Sequence, residues 1–547
     1  MFKRINFLLL LIFFLGFVLR FWNLGNIPSG FDADEAAFGY NSYSILKTGA
    51  DEYGKILPLT LKSFGEYKPA LYSYLAIPFV YFFGLTPFAV RLPSAIFGSL
   101  TVVLFYFFIS NLFKDKKLAF FASFILAISP WHINLSRTVS EVVVSIFFVL
   151  LMLYSLNVFT KENKNKWFIV SFICAILSVL SYTASRIFIP MLLLIFLFSF
   201  QKKDNFSKIK KKYFVFFAVI IFFVAAYTLL DSASRIRQIN IFEHPQTKLV
   251  LEEQIRENGS IPAIVTRVFH NKVINYSRTA IENYQKNFTL YYFFLNGGLP
   301  QRMKIPDSGL VFFWQLPFVL LGFYLAFRKK IPEVMLMILW WLVLLIPVSL
   351  TFDEVPNVYR SAIIIFPISL LSSFGLVSFF EGKIPFIKKV LIAFLIIFAF
   401  WELSYYLLQY YVRQENHKPW YRGYAFKELV GEIGKQYPRY RKIVITKAHP
   451  SPYIYLLFYS QFDPNKYQNM GSPKDIGGFD KFVFIPYDCP LSSEYNSEGE
   501  LNGEKNVLYV NSGACPIPAK NVKVVRIVKW KDGSSAFNMM EYFPPNK

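Results

Sequence analysis

Charge is what this sequence has least of. Only 17% of its 547 residues are Asp, Glu, Lys or Arg, against about a quarter in soluble domains. That shortage, with plentiful apolar residues, excludes a disordered chain and an ordinary water-soluble enzyme. Three cysteines are too few to build a disulfide-stapled secreted module. No Cys-x-x-Cys or His-x-x-x-His spacing occurs and the five histidines are scattered, so local spacing spells no metal site. Acid is scarcer than base, 35 residues against 58, for a net charge of +23. What is abundant is apolar: 54% hydrophobic, 19% aromatic, mean hydropathy +0.39. The class that remains is a polytopic membrane protein.

The basic surplus does not cluster as a nucleic-acid face does. It falls in short runs, at 114–117, 161–166, 202–212, 328–330 and 383–389, between apolar blocks. That punctuation is what cytoplasmic loops show under the positive-inside rule. The N-terminal Met1-Phe-Lys-Arg and the apolar stretch 7–18 lead into Arg20, Phe21 and Trp22 rather than a small-residue cleavage site, so an uncleaved first span with a cytoplasmic N-terminus is expected. Further blocks of spanning length lie at 88–112, 118–131, 139–159, 166–183, 185–200, 213–231, 309–327, 331–350, 359–380 and 388–410. Block 71–84 is short. Placing it along the outer interface, or as a re-entrant segment, leaves every basic run in the cytoplasm; an ordinary span with another missed elsewhere is the alternative.

About eleven helices are therefore expected in a transmembrane domain over 1–411, with the C-terminal segment outside. The external segments are 23–87, 232–308 and a tail over 412–547. In the tail, apolar runs at 443–446, 482–485, 507–510 and 524–528 alternate with a helical stretch at 426–437, predicting a small extracytoplasmic α/β domain. Cys489 and Cys515 both lie there, and a disulfide and two free thiols are equally compatible with the spacing. Cys174 is expected to be packed within a span.

The first external loop runs against the rest of the chain. Between residues 23 and 69 it holds six acids, Asp32, Asp34, Glu35, Asp51, Glu52 and Glu66, against four lysines. Three of them fall in Gly30-Phe-Asp-Ala-Asp-Glu-Ala-Ala-Phe-Gly-Tyr40, among apolar and aromatic neighbours. Asp32 or Asp34 is suited to cap the helix that Glu35 begins. A carboxylate in such surroundings also suits a general base. Two further outer corners carry cations. Glu66-Tyr-Lys-Pro-Ala-Leu71 puts Lys68 at headgroup depth, as a snorkelling anchor or a phosphate ligand. Ser129-Pro-Trp-His-Ile-Asn-Leu-Ser-Arg-Thr-Val-Ser-Glu141 carries Arg137 and Glu141, four apart and able to pair if helical. Arg360 opens block 359–380, as interfacial anchor or substrate contact.

In their order these corners resemble the protein O-mannosyltransferases and the wider superfamily that includes the bacterial lipid A aminoarabinose transferases. Phe31-Asp-Ala-Asp-Glu resembles the family's first-loop acidic motif. Lys68-Pro-Ala-Leu71 and Phe88-Ala-Val-Arg-Leu-Pro-Ser94 resemble its Lys-Pro and Arg-Leu-Pro-Ser stretches, and Ser129-Pro-Trp-His with Ser136-Arg137 its next motif. The likeness covers roughly 1–200 and continues more loosely to Val355-Pro-Asn-Val-Tyr-Arg360.

The resemblance implies a C-type glycosyltransferase fold and a polyprenyl-phosphate-linked sugar as donor. It implies Asp34 as base toward an acceptor hydroxyl of a protein, lipid or glycan, and Glu35 as a residue that positions base or acceptor. Lys68 and Arg137 are the implied ligands of the carrier phosphate. Asp32, Tyr40, Glu141 and Arg360 complete the candidate substrate-binding set; the family's second-loop acid is usually Asp, and Glu141 is longer and shifted in spacing. One base opposite a phosphate leaving group implies a single inverting displacement. No cofactor is required, and a divalent metal remains compatible. The competing classes are a transporter, which would place polar groups at mid-bilayer in matched halves, and a non-catalytic scaffold. The candidate groups collect on one outer face, which favours the enzyme.

Overall fold

The computed structural model describes residues 2–200, 206–230, 240–381, 385–449, 451–473, 477–493 and 501–544. The chain divides into two compact units. The first comprises Met1–Trp22, Glu66–Pro69 and Ser94–Leu407; the second comprises Asn23–Gly65, Ala70–Pro93 and Leu408–Lys547.

The first unit is helical. Among the described residues, five helices that lie in it wholly or in large part are long and apolar enough to cross a membrane: Pro87–Phe113, Glu141–Glu162, Pro332–Ser349, Ala362–Phe380 and Phe386–Arg413. Lys116–Ile128 and Pro130–Ser136 make a sixth if taken as one span bent by 57°. Shorter apolar helices occupy Phe7–Phe21, Asn165–Ser181, Ser185–Phe196 and Phe214–Tyr227. Each apolar block read from the sequence thus carries a helix among the described residues. Between apolar helices, buried hydroxyls supply specific contacts in place of a hydrophobic drive. Ser145 Oγ lies 2.9 Å from Ser178 Oγ and 2.5 Å from Ser185 Oγ, tying together three successive helices.

Two blocks differ from the expected bounds. Block 118–131 breaks at Ser129, where Pro130 opens a new helix and the Ser129 hydroxyl accepts from His132 N. Block 309–327 becomes α-helical only at Leu316–Lys329. Leu310 N and Val311 N instead donate to Phe293 O, at 2.7 and 2.9 Å. The carboxylate of Glu402, from the helix Phe386–Leu408, then accepts from Phe313 N and Trp314 N at 2.5 and 3.1 Å. A distant side chain therefore satisfies donors at the start of that helix.

In the second unit, part of the first loop folds with the tail, which begins at residue 408 rather than 412. Leu71–Phe83 belongs here: thirteen residues rise about 20 Å, short of a hydrocarbon core of about 30 Å. After two short strands, β1 (Thr60–Ser63) and β2 (Glu66–Pro69, in the first unit), the remaining five form one sheet. These are β3 (Lys442–Thr446), β4 (Phe482–Ile485), β5 (Val507–Ser512), β6 (Val522–Lys529) and β7 (Ser535–Tyr542), in the order β4-β3-β5-β7-β6. β3 runs parallel to β4 and β5, and β7 antiparallel to β5 and β6. Helix Phe426–Gln436 buries Phe426, Leu429, Val430 and Ile433, the i, i+3, i+4, i+7 stripe of an amphipathic helix. Cys489 and Cys515 form a disulfide, and Cys174 is buried and free.

His449 follows β3 and packs edge-on against Trp530 and Phe537, at 5.2 and 5.4 Å between ring centroids. Burial holds its imidazole below the ordinary range, with the charge of Asp488 pulling the other way. A lowered folded pKa means stability that is complete above the unfolded value of about 6.5 and lost as the pH falls through the folded one. The thermal midpoint of the wild-type chain should therefore drop more, between about pH 7 and about pH 5, than that of His449→Phe. Parallel midpoints across that window would refute the assignment.

Candidate active site

The acidic patch begins with a helix start. Asp32 adopts extended backbone (φ −77°, ψ 166°) as N-cap of Ala33–Thr48, and its Oδ1 accepts from Glu35 N at 3.0 Å. Glu35 Oε2 accepts in return from Asp32 N at 3.3 Å, closing a capping box. Asp32 is thereby committed to the helix terminus.

Glu35 is committed twice over. It is 2% exposed, and its two oxygens accept from Arg91 Nε and Nη2 at 2.9 and 3.0 Å. Arg91 Nη1 also donates to Leu24 O and Pro28 O at 3.2 and 3.0 Å, and Nη2 to Gly30 O at 2.7 Å. All five N–H groups of this buried guanidinium are thus satisfied, and they pin the loop that delivers the acids. Its ring neighbour is Phe31, with the centroid 5.3 Å from the guanidinium carbon. Asp34 lies between the two committed acids, in the first helical turn and half-buried.

The tail builds the other side of this patch. Phe31 N donates to Arg422 O at 2.8 Å, and the Phe31 ring sits 4.7 Å from Phe458. Tyr455 stacks on Phe426 at 4.0 Å, and burial, followed by the charges of Asp32 and Asp34 among others, pushes its phenol pKa far up. Tyr455 therefore keeps its proton beside the acids. Tyr40 is fully buried and donates to Phe462 O at 3.1 Å, so it ties helix Ala33–Thr48 to the tail. Gln468 does the same lower on that helix, donating to Ser44 Oγ and Asp51 O at 3.1 and 2.8 Å.

The first unit holds the other candidates. Arg137 is wholly buried and donates to Leu19 O and Trp22 O at 3.0 and 2.6 Å, the last carbonyls of the first helix and the residue after it. Arg20, in that same helix, donates to Gly16 O, Ala127 O and Leu126 O and lies 2.7 Å from His132 Nδ1. Arg137 ends helix Pro130–Ser136 and Glu141 begins Glu141–Glu162, so the two do not share a helical face and the i,i+4 relation does not apply. Lys68 lies in β2 and is 5% exposed. Arg360 Nη1 donates to Thr351 Oγ1 at 3.0 Å and to Asp353 O. Its side chain lines a largely apolar cavity of about 280 Å³ with Tyr182, Phe188, Phe242 and Pro347. Among the described residues no three His, Cys, Asp or Glu side chains are grouped to hold a metal.

Sequence reasoning passed over Arg20, Arg91 and Arg422. For the first two the signal was present: an arginine inside or at the head of an apolar run has to find partners. Arg422 gave none, since it sits in a polar stretch where arginine is ordinary.

Residues 67–227 match the sequence profile of the family described as dolichyl-phosphate-mannose-protein mannosyltransferase. No curated protein sequence matches the chain. Among solved structures, the fold is similar to that of ArnT from Cupriavidus metallidurans bound to undecaprenyl phosphate, with a TM-score of 0.51, 12% identity and 98% of both chains covered. It is similar also to archaeal oligosaccharyltransferase AglB from Archaeoglobus fulgidus, in complex with an inhibitory peptide and a dolichol-phosphate. There the TM-score is 0.51 and the identity 14%, over 94% of this chain and 70% of that one. The resemblance read from the motifs thus extends to the fold: a helical membrane architecture with a small sheet near the C-terminus.

Proposed function

We propose that the chain is a membrane glycosyltransferase that moves a sugar from a polyprenyl-phosphate carrier to a hydroxyl acceptor on the extracytoplasmic face, with Asp34 as general base. The observation that carries this reading is the division of labour at one helix start. Asp32 closes the cap, Glu35 is locked to Arg91, and Asp34 is held half-buried between them. A half-buried carboxylate at a helix N-terminus, beside a phenol that stays protonated, is suited to accept an alcohol proton. Glu35 and Arg91 act as positioning residues.

In this scheme the acceptor oxygen forms a bond to the anomeric carbon as its proton passes to Asp34. The bond from that carbon to the carrier phosphate oxygen breaks, and the electron pair leaves with the phosphate. Lys68 and Arg137 are assigned to stabilise the departing phosphate electrostatically; Tyr40 and Asp32 support the acid-bearing helix, and Glu141 and Arg360 are the remaining substrate-binding candidates. The N-terminus is cytoplasmic and the C-terminal domain extracytoplasmic. A single phosphate monoester is a good leaving group, so the scheme needs no metal.

Purified protein offered a panel of polyprenyl-phosphate sugars should release free carrier phosphate from one of them. The transferred sugar should carry inverted anomeric configuration by NMR, and EDTA should leave the rate within about twofold. Release from no donor sinks the function; retained configuration sinks the single displacement; loss of rate in EDTA, restored by a divalent cation, sinks the metal-free scheme.

A further inference from the structure

Among the described residues of the second unit two arginines are buried, and they are treated oppositely. Arg91 spends all five N–H groups on five acceptors. Arg422 is 7% exposed, its Nη2 is fully buried, and its guanidinium makes no hydrogen bond and no ion pair with any described residue. A guanidinium taken out of water without acceptors is costly, and native folds seldom keep one for stability alone.

Its position is nonetheless built. Residues 419–422 form a single 3-10 turn closed by Gly423 in the left-handed region (φ 58°), where a Cβ would lie 2.5 Å from the Tyr455 hydroxyl. On the other side, the backbone oxygen of Arg422 accepts from Phe31 N at 2.8 Å. Gly30 (φ 80°) approaches so closely that a Cβ there would meet that oxygen at 2.5 Å. The turn is thus clamped between the loop carrying the acids and the helix carrying Tyr455. The charged groups that act on the Arg422 side chain are Glu35, Arg91 and Asp32, with Tyr410, and burial draws its pKa down from the ordinary arginine value. A second cation therefore stands at the acidic patch with its donors unspent.

We propose that Arg422 is a substrate contact: its guanidinium donates to an anionic phosphate oxygen of the polyprenyl-phosphate donor. The inference rests on the glycosyltransferase reading and extends it to a residue outside every motif that carries the resemblance. Arginine suits the task because its planar fork offers paired donors to a phosphate.

The test uses the full-length protein in lipid nanodiscs, titrated with undecaprenyl phosphate and dolichyl phosphate, with undecaprenol as the phosphate-free control. Binding is followed by intrinsic fluorescence and by the shift in unfolding temperature. Arg422→Gln should weaken binding of the phosphate lipid by about tenfold or more, Arg422→Lys should recover part of it, and undecaprenol should bind all three proteins alike. Without ligand, Arg422→Gln should unfold no lower than the wild type, because no partner is lost. Equal affinity of wild type and Arg422→Gln for the phosphate lipid overturns the proposal, and so does a ligand-free variant that unfolds several degrees lower. A wild type that binds neither phosphate lipid overturns the donor reading itself, which is a separate failure.

Discussion

Asp34→Asn is expected to leave the chain folded and to lower transfer by about 10²–10⁴-fold, the range a positioned general base supplies. The substitution is isosteric and removes the charge and with it the capacity to take a proton. It disturbs neither the cap, which belongs to Asp32, nor the buried pair, which belongs to Glu35 and Arg91. Its neighbours serve as internal controls. Asp32→Asn should be mild in both stability and rate, since asparagine caps helices about as well as aspartate, whereas Asp32→Ala should cost about 1 kcal/mol of stability through the lost cap. The measurement is carrier-phosphate release at saturating donor, beside a thermal melt of each variant. If Asp34→Asn keeps wild-type turnover while Asp32→Asn loses it, the base has been misassigned by two residues. If all three acids tolerate amides, the patch is a structural cap and the scaffold reading returns.

How far the sequence disclosed this arrangement depends on the kind of interaction. Where burial against lipid or a uniform core sets the element, periodicity and length were enough: every apolar block is helical, and β4 falls at its expected bounds. Where a distant polar group sets the boundary, they were not. The helix expected from 309 starts at Leu316 because Phe293 O and Glu402, remote in sequence, take the backbone donors that precede it. β7 was missed for a different reason. Ala536 through Met540 are all buried, so the strand has no alternation, and its two methionines and Asn538 carry weak strand preference.

The acidic motif was legible as a unit, since three carboxylates beside an apolar span demand an explanation. Which of them caps, which pairs and which is left half-buried was not legible, because Arg91 lies 56 residues beyond Glu35 and the tail that meets Phe31 nearly 400 residues on. The tail was read as a separate domain on composition. Its contacts with the first loop through Phe462, Gln468 and Arg422 are made by ordinary polar or aromatic residues with no motif to announce them.

The largest stability effect should come from Arg91→Leu. Removing that guanidinium takes from the buried Glu35 carboxylate its two-pronged ion-pair partner and strips the donors from Leu24 O, Pro28 O and Gly30 O. Breaking a buried pair from one side costs about 3–5 kcal/mol, most of it the penalty of the charge left behind. Glu35→Gln breaks it from the other side more gently, because the three carbonyls still hold Arg91 and the amide oxygen still accepts. The double variant Glu35→Gln, Arg91→Leu should therefore regain part of the loss of Arg91→Leu, a coupling that a thermodynamic cycle reads directly. Rates sort the roles. In Arg91→Leu and Glu35→Gln stability and transfer should fall together, since the loop that carries Asp34 loses its anchor, whereas Asp34→Asn should lose transfer alone. Equal melting temperatures for Arg91→Leu and the wild type would mean that the pair does not hold the loop, and the acid would then owe its position to the tail contacts at Phe31 and Tyr40.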